Sequence, residues 1–364
     1  MAVLLEDVTG SPQGLITTTI SSPGAWSARY DAIGSKTIRS TRGVFDLTPS
    51  VDRAAFAITF PAASLAPAFS TSWQIDASTA LASGTYAQGT LGGFRLAKID
   101  ELPTAPRQVT MVIDQGEQGG FQVPAGLGWA TGTLSNAGVL PLSGQLGDAQ
   151  AFRTSVSLGA TGQAILWVKP YRNLNSFLGG IISLRDTGIV PQTAFTPIQS
   201  GLLWRRFADS IELSYSSGFG PLGAEAKVNP YIKPASALAL ATNLGLTNNE
   251  FRNVTFDGGG LPNAEQFTAL PERFVMDSSY KLNAVPLFGR VMSLWQGAVN
   301  GGAGTVTATL AVDASNNGIL KGNASVSGVV FRRANVETVG AGLIKIPTTG
   351  IKGSFRTGAF LMDR

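Results

Sequence analysis

The chain repeats one small unit: a glycine, an alternating threonine-rich stretch, a second glycine in a turn position, then another short alternating stretch. The unit begins at Gly14 (GLITTTISSPGAWSARY), Gly128 (GWATGTLSNAGVLPLSG) and Gly304 (GTVTATLAVDASNNGILKG). The turn glycines are Gly24, Gly138 and Gly318, so the first two copies share a ten-residue spacing and the third is four residues longer. Such a unit cannot bury its apolar face alone, and copies that stack acquire a shared core. A β-hairpin used repeatedly is the simplest account, and it constrains architecture far more than chemistry.

Period-2 alternation continues from end to end. In Thr305 to Val312 the residues Val306, Ala308, Leu310 and Val312 take one face and the threonines the other; in Ser210 to Tyr215 the apolar face is Ile211, Leu213 and Tyr215. Both predict half-buried strands. Further runs lie at Leu15 to Ile20, Ala54 to Phe60, Gln108 to Ile113, Gln163 to Val168 and Gly179 to Leu184, then at Val291 to Val299, Ala324 to Arg332 and Gly342 to Ile346. Ser22-Pro23-Gly24, Asn136-Ala137-Gly138, Asn316-Asn317-Gly318 and Thr348-Thr349-Gly350 separate them with residues that tolerate positive φ. Helix signals are sparse: Pro234 to Asn243 fits one or two helical turns or a strand equally well, and Asn263 to Phe267 is a second short possibility.

These signals predict an all-β, mainly antiparallel fold whose hairpin repeats form a large β-barrel or barrel-like sandwich. Closure is expected because an open sheet of so many strands would expose aggregation-prone edges. No charged linker divides the chain, so residues 1–364 are expected to form a single domain, with a sub-boundary near 83/84 between leading hairpins and a main barrel.

Composition removes most catalytic classes. With no cysteine and no histidine, disulfides, thiolate nucleophiles, imidazole bases and His- or Cys-ligated metals are excluded, and no cofactor is expected. Charged residues are only 14% of the chain, against about 25% in ordinary domains, so Ser, Thr, Asn, Gln and Gly must cover the surface. That suits a secreted, cell-surface or virion protein. The net charge of +4, from 27 basic and 23 acidic residues, and the isolated pairs Arg205-Arg206 and Arg332-Arg333 give no basic stripe for nucleic acid. The first residues lack the basic n-region and apolar run of a signal peptide. No stretch approaches the ~18 apolar residues of a membrane-spanning helix.

One resemblance rests on the order of several motifs. Gly128-Trp129-Ala-Thr-Gly-Thr-Leu134 and Leu142-Ser-Gly-Gln-Leu146 are followed by Ile165-Leu-Trp-Val-Lys-Pro-Tyr171 and Phe177-Leu-Gly-Gly-Ile-Ile-Ser-Leu184. Then come Gly201-Leu-Leu-Trp204, Val326-Ser-Gly-Val-Val-Phe331 and Gly340-Ala-Gly342. The series resembles a repeat-rich β domain near the C-terminal ends of large secreted or surface proteins of planctomycete and verrucomicrobial bacteria. The likeness covers roughly Gly84 to Gly358, with Gly14 to Asp46 similar to the family's preceding hairpin. It implies an extracellular setting and no enzymatic role.

Individual candidate sites are weak. Asp313, Ser315 and Asn317 before Gly318 have the opening spacing of a calcium loop, but position 12 is Ala324 rather than a bidentate acid, which favours a polar hairpin turn. The close carboxylate pairs Asp100-Glu101, Asp114/Glu117 and Asp209/Glu212 are the candidates considered for a glycosidase pair; the last sits three apart in a predicted strand and so faces opposite sides. Serine nucleophiles lack a Gly-x-Ser-x-Gly elbow. The glycine runs Gly116 to Gly120 and Gly258 to Gly260 lack the Gly-Lys-Ser/Thr ending of a phosphate loop. Strand aromatics mostly fill cores; if a glycan is bound by stacking, Trp167, Tyr171 and Trp204 are the best placed.

The expected role is therefore a non-enzymatic extracellular or cell-surface structural and adhesion module. Its partners would be glycans, cell-envelope components or further copies of itself. A carbohydrate-binding module and a phage or virion structural protein are the alternatives. An outer-membrane barrel ranks below them, since Gly- and Thr-rich faces fit lipid poorly.

Overall fold

A computed structural model describes residues 1–21, 24–44, 53–62, 67–116, 122–185, 187–191, 195–257, 273–285, 295–313, 321–332, 336–348 and 352–364. Its strands fall into three successive groups of eight, each a meander whose first strand pairs with its last.

The first group is β1 (Ala2–Asp7), β2 (Pro12–Ile20), β3 (Ala25–Ala32), β4 (Arg39–Val44), β5 (Arg53–Phe60), β6 (Phe69–Asp76), β7 (Leu81–Tyr86) and β8 (Gly89–Phe94). The second is β9 (Arg107–Asp114), β10 (Gly128–Leu134), β11 (Val139–Gln145), β12 (Ala151–Ser157), β13 (Gln163–Val168), β14 (Phe177–Ser183), β15 (Gly201–Arg206) and β16 (Phe219–Pro230). The third follows a helix, α1 (Ala237–Leu244). It comprises β17 (Glu250–Asp257), β18 (Phe274–Met276), β19 (Lys281–Ala284), β20 (Trp295–Asn300), β21 (Thr305–Asp313), β22 (Lys321–Val330), β23 (Thr338–Pro347) and β24 (Phe355–Asp363).

The sheet orders are β4-β3-β2-β1-β8-β7-β6-β5, β12-β11-β10-β9-β16-β15-β14-β13, and a closed ring from β17 round to β24. All the described pairings are antiparallel. The expected all-β architecture of closed or nearly closed barrels is thus present, its strands divided among three eight-stranded sheets. Position 83/84 falls inside β7. No helix among the described residues is long and apolar enough to cross a membrane.

By compactness the chain forms two units: Met1–Pro106 with Ser135–Leu140 and Thr154–Arg206, and Arg107–Leu134 with Pro141–Arg153 and Phe207–Arg364. In the first unit, alternate residues of β1 serve two cores, as a period of two requires. Val3 and Leu5 join Ile16, Ile58, Phe60 and Trp73 inside the first barrel. Ala2 and Leu4 face outward onto Phe94 and onto Ile165, Trp167 and Phe177 of β13 and β14. The seam between β4 and β5 is filled from within: the Tyr30 ring of β3 lies 5.6 Å from Phe60 and 4.9 Å from Phe69. Buried Trp73 donates its indole N–H to Thr71 Oγ1 at 2.5 Å, and that hydroxyl donates to the Ile58 carbonyl.

In the second unit, Phe251, Phe274, Met276, Val326, Ile344 and Phe360 belong to the core of the third barrel. α1 is part of that core. Its apolar positions Ala237, Leu240, Ala241 and Leu244 recur at helical spacing and are buried. Ser236 Oγ accepts from Ala239 N at 3.1 Å, Gly245 ends the helix at φ +74°, and Leu246 N reaches back to the Ala241 carbonyl. Of the two possibilities left open for Pro234 to Asn243, the helix forms because these caps satisfy its ends.

The strand expected at Ser210 to Tyr215 is a turn instead. Asp209 Oδ1 accepts from Ile211 N, Asp209 N donates to the Ser216 carbonyl, and Tyr215 takes φ +53°. Local side-chain-to-backbone bonding wins over alternation there, and Ile211 and Leu213 are 64% and 53% exposed. Asp209 and Glu212 consequently do not flank a strand.

Candidate functional site

The three aromatic residues singled out for stacking on a sugar are all buried, at 6% (Trp167), 8% (Tyr171) and 1% (Trp204) exposure. β15 brings Trp204 to Tyr171, and the indole N–H donates to the phenol oxygen at 2.8 Å. The Arg206 guanidinium lies 5.1 Å over the Tyr171 ring. Trp167 stands apart from this pair, stacked on Phe177 at 5.4 Å and seated on Gly179, where any Cβ would come within 2.6 Å of its ring. Its indole N–H has no acceptor among the described residues. Tyr171 and Trp204 are packed against protein, while the edge of Trp167 reaches a small concavity lined also by Thr17, Arg29, Asp31 and Thr154.

The carboxylates have structural partners as well. Glu101 accepts from both Arg95 nitrogens, at 3.0 and 2.7 Å, and from Lys98 N. The Arg95 hydrogen bonds hold its carboxyl below the ordinary range in spite of partial burial. Asp114 pairs with Lys227 at 2.9 Å and accepts from Gly116 N. Burial pushes its pKa up, but the Lys227 and Gly116 hydrogen bonds and the Lys227 charge outweigh that, leaving it lowered. An acid held ionised in this way is a poor proton donor. Glu117 lies outside the described residues. So do Ser315, Asn317 and the side chain of Asp313, the expected calcium turn. No cluster of three or more metal-binding side chains occurs among the described residues. Of the arginine pairs, Arg332 donates to the Asn243 carbonyl at the end of α1, at 2.7 Å.

A concavity lies on the outer face of the third barrel, a groove of about 760 Å³ crossing β19 to β23. Strand register lays two rows of side chains across it. One row runs Lys281, Ala298, Thr307, Ser327, Leu343. In the second, Gln296, Thr309, Ser325 and Lys345 are successive partners, with Asn283 beside them on β19. Alternation sends Ala308, Val326 and Ile344 to the core beneath, which leaves Thr307, Thr309, Ser325 and Ser327 facing the groove beside the apolar Ala298 and Leu343.

One wall is set by a hydrogen-bonded chain: Trp129 Nε1 donates to Ser327 Oγ at 3.2 Å, and Ser327 Oγ donates to Gln145 Oε1 at 2.6 Å. Gln145 is thereby oriented with its amide N–H groups left over. Lys345 sits over the Phe355 ring, its Nζ 4.0 Å from the centroid. The described lining contains two lysines, three amides and four hydroxyls, and neither a carboxylate nor an aromatic ring. Sequence reading missed this site because its rows are assembled across five strands; the one available signal was the run of outward threonines in Thr305 to Thr309. The chain matches no protein-family model, no curated protein and no solved structure.

Proposed function

We propose that this chain is a non-enzymatic structural and adhesion module of an extracellular or cell-surface protein, in keeping with its resemblance to repeat-rich bacterial surface domains. The observation that carries this reading is the outward face of the third barrel. Thr307, Thr309 and Ser325 present hydroxyls side by side over an apolar interior, a surface suited to hydrogen bonding rather than to bond cleavage. The carboxylates described above support it, since Glu101 and Asp114 are engaged with basic partners. A surface of this kind relies on hydrogen bonds between uncharged groups more than on screened charge, so binding is expected to weaken only modestly at high salt.

The same groove favours a carbohydrate-binding role as the second reading. The test is a panel: the purified chain against envelope preparations and polysaccharides at low and high salt, beside turnover assays with ester, glycoside and peptide substrates. Envelope binding without turnover is the expected result. Nucleic-acid binding that collapses with salt, or hydrolysis lost in Asp114→Ala, contradicts the proposal.

A further inference from the structure

We infer that the groove on the third barrel binds an acidic polysaccharide, a chain of uronate sugars lying across β19 to β23. The inference rests on the adhesion reading and specifies what is held. Three features of the site point to this ligand.

Charge complementarity comes first. Lys281 and Lys345 are the only charged residues among the described lining, and the Asp277 carboxylate beside Lys281 and Asn283 is engaged by the backbone N–H groups of Ser279 and Lys281. Their positions come second. Lys281 on β19 and Lys345 on β23 enter the groove from strands four pairings apart and from different rows, so the two cations stand at separate places along it, as the spaced carboxylates of a polymer require. Between the lysines lie Gln296, Thr309 and Ser325, donor-and-acceptor groups that match vicinal sugar hydroxyls.

The third feature is preorganisation. Gln145 is fixed through Ser327 and Trp129 before any ligand arrives, which lowers the ordering cost of binding. The lack of an aromatic side chain in the described lining disfavours nucleic acid, whose bases take stacking platforms.

The experiment titrates the intact chain with oligogalacturonate, a neutral oligosaccharide of equal length and single-stranded DNA, following heat of binding. A parallel assay measures envelope adhesion. The double variant Lys281→Ala/Lys345→Met removes both charges while keeping most of the stem that packs on Phe355; Lys281→Arg/Lys345→Arg restores them. Thermal unfolding confirms that each variant is folded.

Oligogalacturonate is expected to bind roughly tenfold or more tighter than the neutral sugar and DNA, with that margin lost in the Ala/Met variant and regained in the Arg/Arg variant. Equal affinity for neutral sugar, tighter binding of DNA, or an unchanged Ala/Met variant overturns the inference. Envelope adhesion that persists without uronate binding sinks the groove assignment alone, whereas loss of envelope adhesion in the wild-type chain sinks the adhesion reading.

Discussion

A residue with left-handed backbone closes each of six described hairpin turns: Gly10, Gly24, Gly138, Ala149, Gly162 and Tyr280, with φ between 62° and 85°. Each donates its N–H to the carbonyl three residues back, and that earlier residue bonds the one after the turn, as in Ser135 to Val139. This is the three-residue loop with a bulge that suits antiparallel strands. Since αL costs a non-glycine roughly 1–2 kcal/mol and glycine returns roughly 0.5–1 kcal/mol of that in entropy, Ala149→Gly is expected to stabilise by up to about 1 kcal/mol. Gly138→Ala should destabilise by more, because its Cβ would also lie 2.6 Å from Leu102 Cδ2. Denaturant unfolding of the two variants checks both signs. Tyr30 yields a pH prediction. Burial raises its phenol from 10.0 to about 12, so the unfolded chain ionises first, and the stability present below pH 10 is lost as pH rises from 10 toward 12. Tyr30→Phe should therefore lose about 1 kcal/mol less than wild type between pH 8 and pH 11, measured by urea unfolding at the two values.

At the scale of elements, the hairpins were legible because turn chemistry and alternation are local. The units at Gly14 and Gly128 are β2-β3 and β10-β11, the second and third strands of their respective sheets, which explains their identical spacing. The unit at Gly304 is β21-β22, the fifth and sixth of its sheet, and its spacing differs. What alternation could not separate was Ser210 to Tyr215, where Asp209 bonding overrides it, or the two possibilities for Pro234 to Asn243, where the caps decide. The divisions between sheets were also hidden. Alternation breaks off in 95–106 and 231–249 as it does in any loop, so the break alone does not mark them as passages from one sheet to the next. The groove was illegible for a related reason: Lys281 and Lys345 become ends of one feature only through the pairing of five strands. α1 provides the element-scale prediction. Leu240 is 1% exposed within the third barrel's core, so Leu240→Ala should cost about 2–5 kcal/mol. Hydrogen exchange should show lost protection in β17 to β24 while β1 to β8 keep theirs.

For the molecule as a whole, the claim from which the site follows is that twenty-four strands form three consecutive meanders, each joining its first strand to its last. The interior of the third is apolar, and its outward face is polar along Thr307, Thr309 and Ser325 but apolar where Val329, Ala341 and Leu361 pack on Val112 and Trp129. A chain without cysteine allows a direct measurement of the first-to-last strand pairings, because engineered pairs have no native thiol to compete with. Cysteines placed at the register partners Glu6/Thr90, Thr110/Asn229 and Thr255/Leu361 lie across antiparallel pairs whose Cα separation of about 4.5–5.5 Å suits a disulfide. Oxidation of each double variant, scored by gel mobility and peptide mapping, is predicted to give an intramolecular disulfide in high yield from all three. Pairs on strands that are not neighbours within one sheet, such as Thr255 on β17 with Thr307 on β21, should give none. Cross-linking of those mismatched pairs, or failure of the matched ones in folded protein, would contradict the three-meander account and the groove that depends on it.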